Sequence, residues 1–227
     1  MSSTQSTSTR STTSIRSSVT EFTTGFNEAV GPVLAEVFAL EQKDLVSAGL
    51  PSAVVSAGDA LPEATLVRAD GTTIRLPDEL AGSPAVLVFY RGAWCPYCNI
   101  TLKHYNENLA PALAEKGVRL VAISPQTPEG TEAAILKDDL SFTVLSDPGN
   151  ALARRLGIVT APSTEAQDAH GQLGFAVADN NADATAAIPF PTVLVIAADG
   201  VVTFADIHVD YTSRTEVPVI LEAVDAL

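Results

Sequence analysis

The chain has 227 residues, 46% of them hydrophobic, and carries 27 acidic against 13 basic side chains, for a formal net charge of −14. That is enough apolar material for one packed domain with extensions, while the acidic balance repels nucleic-acid phosphates and anionic lipid headgroups. No apolar run approaches the roughly 20 residues needed to span a bilayer, so neither nucleic acid nor membrane is an expected partner.

Residues 1–20 are mostly Ser and Thr, with Arg10 and Arg16 the only charges. They lack the apolar middle of a secretory signal and the amphipathic face of an organellar transit peptide. The mature chain is therefore expected to start near Met1 and to be cytoplasmic. So few apolar side chains cannot repay the entropy of ordering, so 1–20 is expected to be a disordered tail. From Glu21, Phe22, Phe26, Val30, Leu34, Val37 and Leu40 recur mostly at spacings of three and four, a helical period. Gly31-Pro32 should break or kink this helix, and Gly49 with Pro51 should end it. Residues 21–56 thus form a helical extension that either caps the core or mediates a homodimer.

The main domain is expected over 57–227. Alternating runs 64–68 and 72–76 flank Asp70-Gly71, the signature of a β-hairpin. Residues 77–84 are expected to be loop. Residues 85–90 read as a strand buried on both faces. A helix from Asn99 to about Lys116 carries Leu102, Tyr105, Leu109 and Leu113 on one stripe, and the next strand covers 118–123. Strand, helix and strand in that length predict a right-handed parallel crossover. A short helix near 129–137, a strand at 142–145 and a helix at 150–156 follow. Residues 159–188, rich in Ala, Asp and Asn, read as an insertion with at most short elements. A second hairpin surrounds Ala198-Asp199-Gly200, and an amphipathic helix from about Thr215 closes the chain.

The chemistry concentrates in Phe89 to Cys98, which holds the only two cysteines and the only tryptophan. A strand delivers Cys95-Pro96-Tyr97-Cys98 to a helix start, where unpaired N–H groups and the helix dipole favour a thiolate at Cys95. Pro96 suits the first helical position. Cys98, on the same turn and expected to be the more enclosed, can resolve an oxidised Cys95 as a disulfide. Arg91 is the candidate cation beside Cys95. Two inert thiols or half of a zinc site are the bland alternatives. However, His104, His170 and His208 are scattered, supply no second ligand pair, and are expected to be ordinary surface or core histidines. No metal or cofactor is expected. Phe190-Pro191-Thr192 opens the penultimate strand, where a proline is unusual; in the cis form it would present a backbone edge to a substrate near Cys95.

Over residues 57–227 the chain resembles the thioredoxin-like superfamily, and within it the peroxiredoxin (alkyl hydroperoxide reductase/thiol-specific antioxidant) branch. The residues that carry the resemblance are Gly58-Asp59-Ala60-Leu61-Pro62, Asp70-Gly71, Phe89 to Cys98, Ala122-Ile123-Ser124-Pro125, Leu145-Ser146-Asp147-Pro148, Pro191-Thr192 and Val209 to Arg214. The resemblance implies an α/β thioredoxin-like fold with a central mixed sheet and helices on both faces. It implies Cys95 as peroxidatic and Cys98 as resolving cysteine, with Trp94, Tyr97, Pro191 and Thr192 near the substrate. It also implies a hydroperoxide substrate and a thioredoxin-like dithiol or glutathione as reductant. Typical members carry Pro-x-x-x-Thr-x-x-Cys and an Arg before the penultimate strand. Here those places hold Val88, Gly92 and Phe190, and Arg91 and Arg214 are the candidate replacements. Cys-Pro-Tyr-Cys itself looks like a glutaredoxin motif, which keeps thiol–disulfide exchange as an alternative activity and a non-enzymatic redox sensor as another.

Overall fold

The computed structural model describes residues 13–227. The first part of the expected disordered tail, 1–12, lies outside the described residues. Its last part is helix: α1 runs Ile15–Ala48, six residues earlier than the periodicity predicts. Ile15 and Val19 are buried in the core, and the exposed first turn is held from far along the chain. The Glu216 carboxylate accepts from the N–H groups of Ile15 at 3.1 Å and Arg16 at 2.9 Å, and Ser14 Oγ accepts from Ser17 N–H. An anion on the unpaired donors of a helix start is favourable both as hydrogen bond and against the dipole. α1 kinks where expected: Gly31 adopts φ 79 and ψ 168, followed by Pro32.

A seven-stranded sheet follows in the order β2-β1-β5-β4-β3-β8-β9. Its strands are β1 (Thr65–Val67), β2 (Thr73–Arg75), β3 (Ala85–Phe89), β4 (Arg119–Ser124), β5 (Thr143–Ser146), β8 (Thr192–Ile196) and β9 (Val202–Ile207). β6 (Val159–Thr160) and β7 (Ile188–Pro189) pair separately. β3 lies between parallel β4 and antiparallel β8, so all five of its residues are buried. Successive side chains alternate faces: Val86 and Val88 join one core layer, and Ala85, Leu87 and Phe89 the other. Both predicted hairpins form.

One face is covered by α3 (Pro96–His104), a π-helical turn at Tyr105–Leu109, α4 (Ala110–Glu115) and α9 (Val217–Asp225). Leu102, Tyr105, Leu109 and Leu113 are the buried stripe. The other face packs α2 (Leu76–Leu80) and α6 (Ala151–Arg155), while α5 (Pro128–Asp138) follows β4 and sets Ile135 against the first core layer beside α3. α2 replaces part of the expected loop because Leu76 and Leu80 drop into the second core layer. The region 159–188 contains α7 (Thr164–Gln172), whose N-terminus is capped by Ser163 Oγ accepting from Ala166 N–H at 3.1 Å, and a short α8 (Val177–Asn180). Every peptide bond among the described residues is trans, so Pro191 does not present the backbone edge considered for a cis bond.

Candidate active site

β3 ends at Phe89, and the chain turns through Tyr90 to Trp94 before Cys95 takes the N-cap position of α3. Gly92 makes the turn with φ 144, and a Cβ there would lie 2.5 Å from the Trp94 ring nitrogen. Only glycine fits both the dihedral and the indole, which gives a packing reason for the absence of the family's threonine. The turn is pinned by Ala93 N–H donating to Gln126 Oε1 at 2.7 Å and by Asn99 Nδ2 donating to the Ala93 carbonyl at 2.9 Å.

Both cysteines are free and each is 1% exposed. Cys98 is therefore no more enclosed than Cys95, because α1 lies over the motif. What separates the two is their surroundings. Cys95 lines a cavity of about 540 Å³ that also reaches Arg91, Trp94 and Tyr97. Cys98 faces a void of only about 10 Å³, shared with Pro191, Thr192 and Arg214. Arg214 Nη2 donates to Cys98 Sγ at 3.4 Å, while Nη1 donates to the carbonyls of Tyr211 and Ser213, each at 2.6 Å.

These surroundings split the acidities of the pair. Burial pushes the Cys95 thiol well up, and the neighbouring Cys98 sulfur adds to the rise; Arg91 and Arg214 oppose it. Burial is also the largest influence on Cys98, but it is outweighed. A hydrogen bond from Cys95, the Arg214 charge, the Arg91 backbone N–H and the Arg91 charge together bring Cys98 below the ordinary thiol value. The pair titrates as a unit, and within it the two cationic side chains and the Arg91 N–H favour the anionic form at Cys98 over Cys95.

Arg91 is 5% exposed, and its guanidinium sits 4.2 Å from the Tyr211 ring centre and 5.0 Å from that of Trp94. Among the described residues it forms no ion pair. Glu41 feels its charge from beyond ion-pair distance. An unpaired buried cation costs several kcal/mol, and two aromatic faces offset about 0.5–2 kcal/mol each. A guanidinium left in this condition on a cavity that contains a thiol is an anion site by its chemistry.

The structure brings four of the sequence-predicted residues, Cys95, Arg91, Trp94 and Tyr97, to one cavity. It places Pro191 and Thr192 beside Cys98, outside the cavity that Cys95 lines. The Thr192 hydroxyl is already used, donating to the Phe190 carbonyl at 2.9 Å, and Phe190 is buried. Sequence reasoning missed Phe38, His170, Phe175 and Tyr211 as cavity residues. The His170 ring lies within 5.8 Å of Phe38, Phe175 and Trp94, stacked on Phe38, tilted against Phe175 and edge-on to Trp94. Burial, helped by the Arg91 charge, pulls its imidazole down to about 4, so at neutral pH it is an uncharged wall.

Residues 57–205 match the family model described as AhpC/TSA family. Among curated relatives, Peroxiredoxin bcp1 of Schizosaccharomyces pombe is 26% identical over 130 residues, 57% of this chain and 66% of that protein. Peroxiredoxin Bcp of Escherichia coli is 30% identical over 104 residues, 46% of this chain and 65% of its own. The matches to these relatives and to a chloroplastic Peroxiredoxin Q of Populus jackii span about half to two thirds of their lengths. Among solved structures, reduced Prx3 in complex with hydrogen peroxide from Vibrio vulnificus superposes with a TM-score of 0.60 at 21% identity, covering 75% of this chain and 99% of that one. Peroxidoxin BcpB from Mycobacterium tuberculosis gives 0.58 at 21% identity over 76% and 98%. These likenesses give the thioredoxin-like peroxiredoxin fold, and the matched model covers more than half of the chain, which therefore belongs to the AhpC/TSA family.

Proposed function

We propose that this member of the AhpC/TSA family is a thiol-dependent peroxidase in which Cys95 attacks a hydroperoxide and Cys98 resolves the product. The observation that carries the reading is the position of Cys95 on a cavity whose one buried cation, Arg91, has no ion-pair partner among the described residues. The acidic pair gives up its first proton readily, and transfer of the remaining proton from Cys95 to Cys98 turns Cys95 into the nucleophile. Its thiolate attacks the terminal oxygen of ROOH and the O–O bond breaks. Arg91 steadies the departing alkoxide, which takes the proton held by Cys98 and leaves as ROH. Cys95 is now a sulfenic acid. The Cys98 thiolate, held by Arg214, attacks its sulfur and expels hydroxide, which solvent protonates, and the S–S bond forms. A dithiol reductant of thioredoxin type, or glutathione, then reduces that bond and is itself oxidised.

The redox domain in this proposal is 57–227, with 21–56 as an accessory segment whose helix α1 reaches back to Ile15. Two free thiols suit the reducing cytoplasm. No described helix is long and apolar enough to cross a membrane. Val33, Leu40 and Val46 are exposed on α1 and form the surface proposed for a homodimer. Thiol–disulfide exchange is the second reading, favoured by the Arg214-held thiolate at Cys98. Stopped-flow loss of thiol on mixing reduced protein with cumene hydroperoxide or hydrogen peroxide tests the first. Reaction many times faster than a free small thiol at matched pH is expected. A rate equal to the free thiol, combined with turnover of insulin or glutathione disulfides, would replace the first reading by the second.

A further inference from the structure

Arg91 and Tyr211 stand in the wall between two spaces. On one side is the cavity that Cys95 lines. On the other is a void of about 10 Å³ lined by Glu41, Phe190 and Pro191, where Arg91 is the only cation among the described residues. Glu41 belongs to the second arm of α1, which the Gly31 kink folds back on the first and which lies outside the family-matched residues. It is 7% exposed. Its Oε1 accepts from the Ser163 N–H at 3.0 Å, beside the Ser163 cap of α7. Its Oε2 is buried and has no hydrogen-bond partner among the described residues, while the nearby Tyr211 hydroxyl donates to the Phe38 carbonyl at 3.5 Å. A carboxylate so placed is costly unless a cation compensates it.

The Arg91 guanidinium has the matching deficit. Two ring faces hold it and no carboxylate pairs with it. A ring face attracts a cation without fixing where over the face it lies. The Arg91 charge is felt by Cys95, Tyr97 and Cys98 at the start of α3, by His170 on α7, by Tyr211 and by Glu41. Of these, Glu41 alone carries a carboxylate, and it faces Arg91 from the side away from the thiols. Burial lifts the Glu41 carboxyl above its ordinary range, and the Ser163 N–H, the Arg91 charge and the Tyr211 hydroxyl oppose that rise. We propose that Glu41 is a positioning residue for the thiol pair: its charge holds the Arg91 guanidinium back against Tyr211 and so limits how strongly Arg91 acts on Cys95 and Cys98. α1 thereby tunes a pair of cysteines that both lie within the family-matched residues. The role concerns the ionisation of the pair, and it stands whether the pair reduces peroxides or exchanges disulfides.

The test follows the ultraviolet thiolate absorbance of the full-length reduced protein against pH. Glu41→Gln keeps the shape of the side chain and an acceptor for Ser163 while removing the charge. Glu41→Met removes charge and acceptor together, an exchange that buried charged sites commonly tolerate. In both variants the pair should ionise about half a unit or more lower in pH than in the wild type. In an Arg91→Met background the same substitutions should move the ionisation by less than about 0.2 unit. Ionisation that stays at the wild-type pH, or moves upward, overturns the inference. So does a displacement of equal size with and without Arg91, which would make Glu41 a long-range charge or a packing residue and not one that acts through the guanidinium. Neither result touches the peroxidase reading, which the stopped-flow rates decide.

Discussion

Cys95 and Cys98 share a helical turn and the same 1% exposure, yet they face different halves of the molecule. Cys95 looks out, toward the aromatic cavity closed by α1 and α7. Cys98 looks in, toward β8 and the guanidinium of Arg214. Access lies with one sulfur and charge stabilisation with the other. The difference teaches that neither burial nor acidity alone identifies the attacking thiol. The sulfur whose anion is better stabilised is walled off, and the approachable one lies across the shared hydrogen bond from it.

The contrast can be broken on either side. The largest effect is expected from Gly92→Thr on the Cys95 side. A Cβ 2.5 Å from the Trp94 ring at φ 144 combines overpacking with an unfavourable dihedral, costing about 3 kcal/mol. Denaturant unfolding should show that loss, with Trp94 displaced into solvent. An unchanged midpoint would mean that the indole does not dictate the glycine. On the Cys98 side, Arg214→Met removes the cation that favours the thiolate, so the pair should ionise at higher pH, by about one to two units. The ultraviolet thiolate absorbance followed against pH reads this directly, and no displacement would show that Arg214 does not hold the charge.

The smallest effect belongs to His170. Its imidazole is pulled from 6.5 down to about 4, so between those values the unfolded chain binds a proton that the native ring refuses. Stability must therefore fall as pH drops through that window. His170→Phe should flatten this part of the thermal-stability profile while keeping the stacked wall. A wild-type profile with no such slope, or an unaltered one in the variant, would contradict a neutral buried ring.

The elements with a local cause were legible in the chain. The Asp70-Gly71 hairpin, the apolar β3, the kink at Gly31-Pro32 and the Cys95-Pro96 helix start each depend on neighbours in sequence. The missed features depend on distant ones. α1 begins at Ile15 because Glu216 caps it and because the core receives Ile15 and Val19, a partnership no helical period announces. The cavity was invisible for the same reason: Phe38, His170, Phe175 and Tyr211 come from separate segments that meet only when α1 folds back. Ser163, three residues before Ala166, was a readable cap for α7, but the Ala-, Asp- and Asn-rich sequence around it masked the helix. Arg214 is legible as a candidate from its place before the last helix, but its hydrogen bond to Cys98 depends on the fold.

The division of labour between the two sulfurs is tested most directly by mapping the first oxygen transfer. Reduced Cys98→Ser and Cys95→Ser variants would each receive one equivalent of cumene hydroperoxide in the presence of a dimedone probe, followed by peptide mass spectrometry. The account predicts rapid labelling of Cys95 in the Cys98→Ser protein and labelling of Cys98 in the Cys95→Ser protein no faster than that of a free thiol. Rapid labelling of Cys98 in place of Cys95 would reverse the roles and contradict it.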